Sequence, residues 1–563
     1  MTTPLVNVSA QTASVNEGGS TNLVYTFTRT GDNSAPLTVN FDVKGTASSS
    51  DFSSDVNFSP APSILWTKLW GTTSNDYSLA LTPGQDGYIY VSGYTGGYLD
   101  GQTNRGADDA FVTKLKSDGT AVWTALVGSD SYDAFYSLST GKDGSIYALG
   151  WTYNSIEGQA YNGGSADALI TKFNSDGTKA WTKLLGSGGW DAGYAITTGS
   201  DGAIYVAGGT GSSLEGQAFS GLANAFITKF QPDGAKVWTK VTNSGGNDVA
   251  GGLTSGLDGS VYVGGYTTVA LDGQTYSGGI ADGFITKYAS NGTKLWTKLL
   301  GSSGNDNSNL LTTGLDGSIY VSGYTTGALD GQINSGGFDT FITKYQPDGT
   351  KLWTKLLGSN GDDIPHALTT GLDGAIYVSG TTSGYLDGQS SSGSPDVFLS
   401  KYFSDGTKVW TKLLNSTGSD EGRALTVGLD GAVYVGGYTD SSINGQTYIS
   451  GHGNDIFVSK IAVEPQITFA SGSSTATLLI TPITDQLVEP AETVVVNVLS
   501  GNAYDLGSSA SATGIIQDPP TYQITPSASS VNEGSAISFN VVTTNVAQGT
   551  TLNYTLSGVQ AND

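Results

Sequence analysis

The chain contains no cysteine, one methionine and only two histidines, His366 and His452. Without thiols it has no disulfides, no zinc–thiolate or iron–sulfur centre and no cysteine nucleophile. Two histidines leave a histidine-based triad or a His-rich metal site almost without material, and both are expected at the surface. Bases are scarce too: 24 Lys and Arg stand against 49 Asp and Glu, a formal charge of −25. Nucleic acid and anionic membrane surfaces repel such a chain, so neither is an expected partner. No apolar run approaches the ~20 residues of a membrane-spanning helix, so direct membrane insertion is not expected. The opening Met1-Thr2-Thr3-Pro4-Leu5-Val6 lacks the basic and apolar regions of an N-terminal signal peptide, so export is expected by another route.

What is abundant is glycine, 81 residues of 563, alongside an ordinary 10% of aromatics. Disordered chains lack such aromatics, and no Gly-X-Y period exists, so the composition reads as turn-rich and folded. The length exceeds one ordinary core. Self-comparison explains it. Trp66, Trp123, Trp181, Trp238, Trp296, Trp353 and Trp410 recur at intervals of 57, 58, 57, 58, 57 and 57 residues, most within W-T-K. Each unit carries short, alternating, β-branched or aromatic runs separated by Asp-Gly or Asn-Gly turns, which predicts four antiparallel strands. In one unit these are A (367–370), B (376–382), C (397–402) and D (408–414). Four-stranded units repeated radially make a β-propeller. A D-type strand, 64–70, precedes the first A strand, and none follows the last C strand, 457–461. A ring cancels that mismatch by giving strand 64–70 to the seventh unit, so seven blades are expected and residues 63 and 462 should meet.

The units, with their D-G-x-I-Y-V-x-G-Y-T core, resemble the bacterial β-propeller repeat family labelled SBBP, over about 64–463. A module whose ends meet can be inserted into a loop of another domain. The flanks fit: residues 1–62 carry S-V-N-E-G (14–18) and G-T-A-S-S-S-D-F (45–52), and 464–518 carry I-T-F, T-A-T-L-L-I-T-P-I and D-Q-L-V-E-P-A-E. Neither flank has enough strands for a sandwich, but joined they approach the ~100 residues of an immunoglobulin-like one. In order, these motifs resemble the Calx-β domain, the calcium-binding sandwich of sodium–calcium exchangers and many bacterial surface proteins. The expected organisation is therefore all-β: a discontinuous Calx-β-like sandwich (1–62 plus 464–518), an inserted seven-bladed propeller (63–463), and the start of a further module (519–563). That last piece repeats S-V-N-E-G at 530–534 and carries about three strands, too few to stand alone.

The Calx-β resemblance implies calcium held by Glu17, Asp51, Asp485, Glu489 and Asp518. Exchanger-type domains have runs of aspartates where this chain has only Asp485 and Asp518, which favours one ion or none. In the propeller, Asp76, Asp133, Asp191, Asp248, Asp306, Asp363 and Asp420 recur in the D–A links. Alternating strand direction puts these links on one face with the B–C links. Asp100, Glu157, Glu215, Asp272, Asp330 and Asp387, and the acids before strand C, share that face. Such a face either binds cations, basic proteins or sugars, or consists of aspartates holding their own turns. Tyr94, Trp151, Tyr266, Tyr324 and Tyr438 follow strand B, where two units have Gly209 and Thr381. These are either a sugar platform or packing, and the W-T-K tryptophans read as packing. Trp190 stands outside the repeat and is the best single candidate for an exposed contact. No G-x-S-x-G, phosphate loop or H-E-x-x-H occurs, and sequence selects no carboxylate pair for glycoside hydrolysis.

These readings converge on a non-catalytic, extracellular structural or adhesive protein of a bacterial surface or matrix. Its expected partners are other surface proteins, further copies or glycans. A lectin-like glycan-binding propeller is the alternative, and a polysaccharide-active enzyme a second. Bases and acids number 22 and 36 in 64–463 but 2 and 13 in the flanks, so negative charge is densest beside the implied calcium ligands.

Overall fold

A computed structural model describes the chain apart from residues 1–2, 18, 48–50, 55–61, 394, 450–452, 464–465, 484–490, 500–503, 533, 545, 547, 556 and 558–563. Among the described residues every named element is a strand, save a three-residue 3-10 turn at Leu99–Gly101. The protein is all-β. It divides into two compact units, Met1–Pro60 with Glu464–Asp563, and Ala61–Val463.

The larger unit contains seven four-stranded sheets. In the first, Asp76–Pro83, Ile89–Thr95, Asp109–Leu115 and Ala121–Val127 take positions A to D. The seventh draws Asp420–Val427, Val433–Thr439 and Asp455–Ala462 from its own repeat and Ser63–Trp70 as its D strand. Ser63 pairs with Ala462 across that ladder. Each A strand packs on the A strand of the next sheet, and Asp420–Val427 returns to Asp76–Pro83. The sheets therefore stand in a ring. B and C strands are buried on both faces, whereas D strands open exposed and are only partly buried beyond, which is why B and C are the most apolar runs of the repeat.

One latch recurs between sheets. Lys114 pairs with Asp86 of the Asp-Gly turn at 2.7 Å, lies 5.4 Å from the Tyr90 ring centroid, and donates to the Ser175 carbonyl of the second sheet at 3.0 Å. Trp123 Nε1 donates to the same carbonyl at 3.3 Å. Gly177, in that second-sheet turn, has φ +91°, and a Cβ there would lie 2.8 Å from the Trp123 ring. The turn thus needs glycine for backbone and for space. The same contact closes the ring: Trp66 Nε1 and Lys460 Nζ both donate to the Ser117 carbonyl, at 3.0 and 3.1 Å.

In the smaller unit, strands from both flanks interleave. One sheet runs Asp505–Leu506, Leu5–Ala10, Leu23–Thr30, Thr475–Pro482, Phe52–Ser54; the other runs Ser14–Asn16, Ser511–Gln517, Glu492–Val498, Leu37–Gly45, Gln466–Phe469. Val8, Tyr25, Phe27, Phe41, Leu478 and Val496, drawn from both, form one buried apolar cluster. Beyond it, the described residues show two strands rather than three, Thr521–Pro526 and Phe539–Thr544, in a separate ribbon.

The A strands start earlier than the sequence pattern suggests. The sixth is Asp363–Thr370, not 367–370, because pairing slips between Pro365 and Ala367. Each of the seven A strands carries this irregularity, and a bulge breaks the period-two signal. The recurring aspartates therefore begin strands instead of lying in links.

Candidate functional site

The bulge decides what faces the ring axis. Three residues after each recurring aspartate stand Leu79, Tyr136, Tyr194, Gly251, Asn309, His366 and Arg423, and all seven line an axial cavity of about 630 Å³. The aspartates are constant in type while these seven differ in type or setting. A scaffold of near-identical units thus encloses an asymmetric interior.

One side of the interior is aromatic. Tyr136 stacks on Trp151 with centroids 4.1 Å apart, and Trp151 meets Tyr194 edge-on at 6.0 Å. Burial pushes the Tyr136 and Tyr194 hydroxyls up to about 12, so both remain neutral donors. The other side is polar. Arg423 pairs with Glu421 at 2.5 Å, and its guanidinium lies 3.3 Å from His366 Nδ1. Arginine only donates, so His366 Nδ1 accepts and Nε2 carries the proton, facing Thr381 Oγ1 at 3.3 Å. Burial, then the Arg423 charge, holds the imidazole well below its ordinary value, keeping it neutral. Asn307 is buried, and its Oδ1 has no hydrogen-bond partner.

Of the two readings of the recurring aspartates, the geometry favours the one in which they hold their own turns. Asp76, Asp133, Asp191, Asp248, Asp306, Asp363 and Asp420 are all 0% exposed. Each accepts from the Ser or Thr four residues earlier, as Asp133 does from the Ser129 N–H at 2.6 Å and hydroxyl at 2.8 Å. Their own N–H groups donate to the preceding sheet, Asp133 to the Asp108 carbonyl at 2.8 Å. These carboxylates organise turns and sheet junctions because unpaired N–H groups there need acceptors. Asp100, Glu157, Glu215, Asp272, Asp330 and Asp387 adopt positive φ, and the last five pair with lysines that open the D strands.

Trp190 is half-buried rather than an exposed contact. A Cβ on Gly209 would lie 2.6 Å from its ring, and one on Gly211 2.5 Å. Trp190 thus occupies the space that a B-strand aromatic fills in other sheets, and it lines the cavity. His366 likewise is not a surface residue but an axial one; His452 lies outside the described residues. The bulge position was the missed signal, since aligning the seven repeats on their aspartates exposes its variability.

In the smaller unit, Glu17, Asp51 and Asp518 are buried, 5%, 2% and 8% exposed. The Glu17 N–H donates to the Gln517 carbonyl, beside Asp518, and the Asp51 carbonyl accepts from Ile483. Asp485 and Glu489 lie outside the described residues. Among the described residues no three acidic or histidine side chains form a metal-ligand group.

No protein-family model matches the chain. The regulatory protein FlaEY of Caulobacter vibrioides is 27% identical over 183 residues, 29% of this chain and 19% of that protein. An uncharacterized WD repeat-containing protein of Acanthamoeba polyphaga mimivirus is 21% identical over 447 residues, 61% of this chain and 32% of that protein. The chain is a repeat protein of β-propeller type. It spans about a fifth and a third of these two relatives. Among solved structures, a puromycin hydrolase mutant complexed with PGG aligns with a TM-score of 0.35 at 9% identity, over 78% of this chain and 58% of the other. A xylan β-1,4-xylosidase from Bacillus halodurans aligns at 0.25 and 9%, over 72% and 99%.

Proposed function

We propose that this chain is a non-catalytic adhesive protein of a bacterial surface or matrix, in which an SBBP-type propeller of seven blades, inserted in a Calx-β-like sandwich, binds glycans at its axial cavity. The observation carrying this reading is where the repeat varies: its constant residues hold the ring, and the axis-facing bulge residues differ. Aromatic rings beside neutral hydroxyl and amide groups suit a sugar's apolar face and its hydroxyls. The cavity lining includes no Asp or Glu, so two-carboxylate glycoside hydrolysis has no material there. Glycan-array binding that is lost in Tyr194→Ala and Asn309→Ala supports the reading, and turnover of any polysaccharide overturns it.

Calcium belongs to the same proposal. Among the described residues, buried Glu17, Asp51 and Asp518 do not by themselves form a ligand group, and Asp485 and Glu489 would have to complete the oxygen set that the Calx-β resemblance implies and that a hard cation needs. Bound there, calcium would neutralise buried carboxylates and tie loops together. Thermal unfolding that is unchanged between calcium and chelator removes this part. Extracellular location follows from the surface role.

A further inference from the structure

Beside the axis, between the first and second sheets, lies a second hollow of about 290 Å³. Tyr94, Tyr132, Tyr136, Trp151 and Tyr153 line it, together with Ala134, Asp108 and Asp133, whose carboxylate accepts from Ser129. Three of these residues depart from the repeat. The residue before the strand-C acid is Asp108 here and Ala, Phe, Pro or Asn in the other units. The residue after strand B is Tyr153 here and Gly, Thr, Ser or Asp elsewhere. The residue before the strand-A aspartate is Tyr132 here, and no other unit has tyrosine there.

Backbone bonds hold the three in place. The Tyr153 N–H donates to the Tyr132 carbonyl at 3.1 Å, and Asp108 bridges to Tyr132 while its carbonyl accepts from Asp133 at 2.8 Å. The Tyr132 and Tyr153 rings meet edge-on at 5.9 Å, yet remain 50% and 44% exposed. The half-buried Asp108 carboxylate makes no hydrogen bond or ion pair among the described residues, and no lysine or arginine lines the hollow. Burial raises its pKa. A preformed aromatic wall with one unanswered carboxylate repels anions and gives a neutral sugar's hydroxyls few partners. It complements a cation that carries its charge on methyl groups, because ring faces attract such a cation while its apolar surface leaves water.

We infer that this hollow binds a quaternary ammonium group, a trimethylammonium headgroup of the choline type. The hollow shares Tyr136 with the axial cavity, but the proposal does not rest on the glycan reading. The test titrates the full chain with choline, following tryptophan fluorescence and heat, beside the neutral isostere in which carbon replaces the quaternary nitrogen. Choline is expected to bind about tenfold or more tightly than the isostere. Asp108→Asn and Tyr153→Leu should each weaken choline by about tenfold while leaving the unfolding midpoint unchanged. Glycan binding should be unmoved by Asp108→Asn, which separates the two sites. Phosphocholine-lipid vesicles and a trimethyl-lysine peptide then distinguish a lipid or polymer headgroup from a modified protein as the source. Equal binding of choline and its isostere, absence of saturable choline binding, or full retention of affinity in Asp108→Asn overturns the proposal.

Discussion

If the ring is closed by the same chemistry that joins its interior sheets, Lys460→Met should cost as much as Lys287→Met. Lys460 pairs with Asp430 at 2.7 Å, donates to the Ser117 carbonyl at 3.1 Å and lies 5.6 Å from the Tyr434 centroid. Lys287 does the same with Asp258 at 2.7 Å, the Pro347 carbonyl at 2.9 Å and Tyr262 at 5.3 Å. Both lysine side chains are mostly buried, 14% and 10% exposed. A charged hydrogen bond contributes about 1.5–3 kcal/mol, with the lower end apt for these part-buried carbonyls, and a cation–π contact about 0.5–1 kcal/mol. The ion pair adds under ~1 kcal/mol, since Asp258 is partly exposed and solvent screens it. These contributions share one ammonium group and do not add fully, so about 3 kcal/mol is expected for each variant. Methionine keeps the buried stem, which confines the loss to the charge. Urea unfolding followed by tryptophan fluorescence reads both midpoints against the parent chain. A loss of about 3 kcal/mol at Lys287 with under ~0.5 kcal/mol at Lys460 would refute closure of the seventh sheet on the first.

Gly177→Ala should destabilise by about 2 kcal/mol or more, read in the same assay, from left-handed strain plus overlap with Trp123. Asp133→Ala should cost about 2–3 kcal/mol by stranding the Ser129 donors, whereas Asp133→Asn keeps an acceptor and should cost far less at pH 8. Burial holds the Asp133, Asp191, Asp363 and Asp420 carboxyls above their ordinary value, against their hydrogen bonds. Their contribution is therefore full at acid pH and is lost as pH rises through the raised values. Burial also pushes up Asp143, Asp201, Asp258 and Asp316, but their lysine partners outweigh it and hold them low. That contribution is present above pH ~4 and lost as pH falls through the lowered values. Replacing all four by Asn should flatten the acid limb of a stability–pH curve, measured by urea midpoints from pH 2 to 6.

Much of the ring was legible because its determinants are local and repeated. The W-T-K tryptophans, the Asp-Gly turns and the surplus leading strand each report backbone geometry directly. The axial cavity was not legible, because a bulge after each recurring aspartate shifts side-chain direction against the alternation that strand reading relies on. His366 therefore read as a surface residue, and Asp363 as part of a link. Trp190 failed for another reason: its ring fills the place that Gly209 leaves empty, a pairing visible only in three dimensions. The recurring acids left two readings open, since a carboxylate serving backbone donors has the same letter as one serving a ligand.

The borrowed strand also sets a timetable. Thr67 and its partner Ser459 are 392 residues apart, an interval of roughly 20–80 s at a synthesis rate of about 5–20 residues per second. Throughout that time the strand that completes the last sheet has emerged, is rich in tryptophan and leucine, and has no partner. Six sheets can assemble from their own repeats while it waits. The nascent chain must therefore shelter this segment from neighbouring copies and from the six earlier C strands, whose sequences are close kin of its proper mate. Mispairing with one of them, rather than slow folding of any single sheet, is the failure this architecture invites.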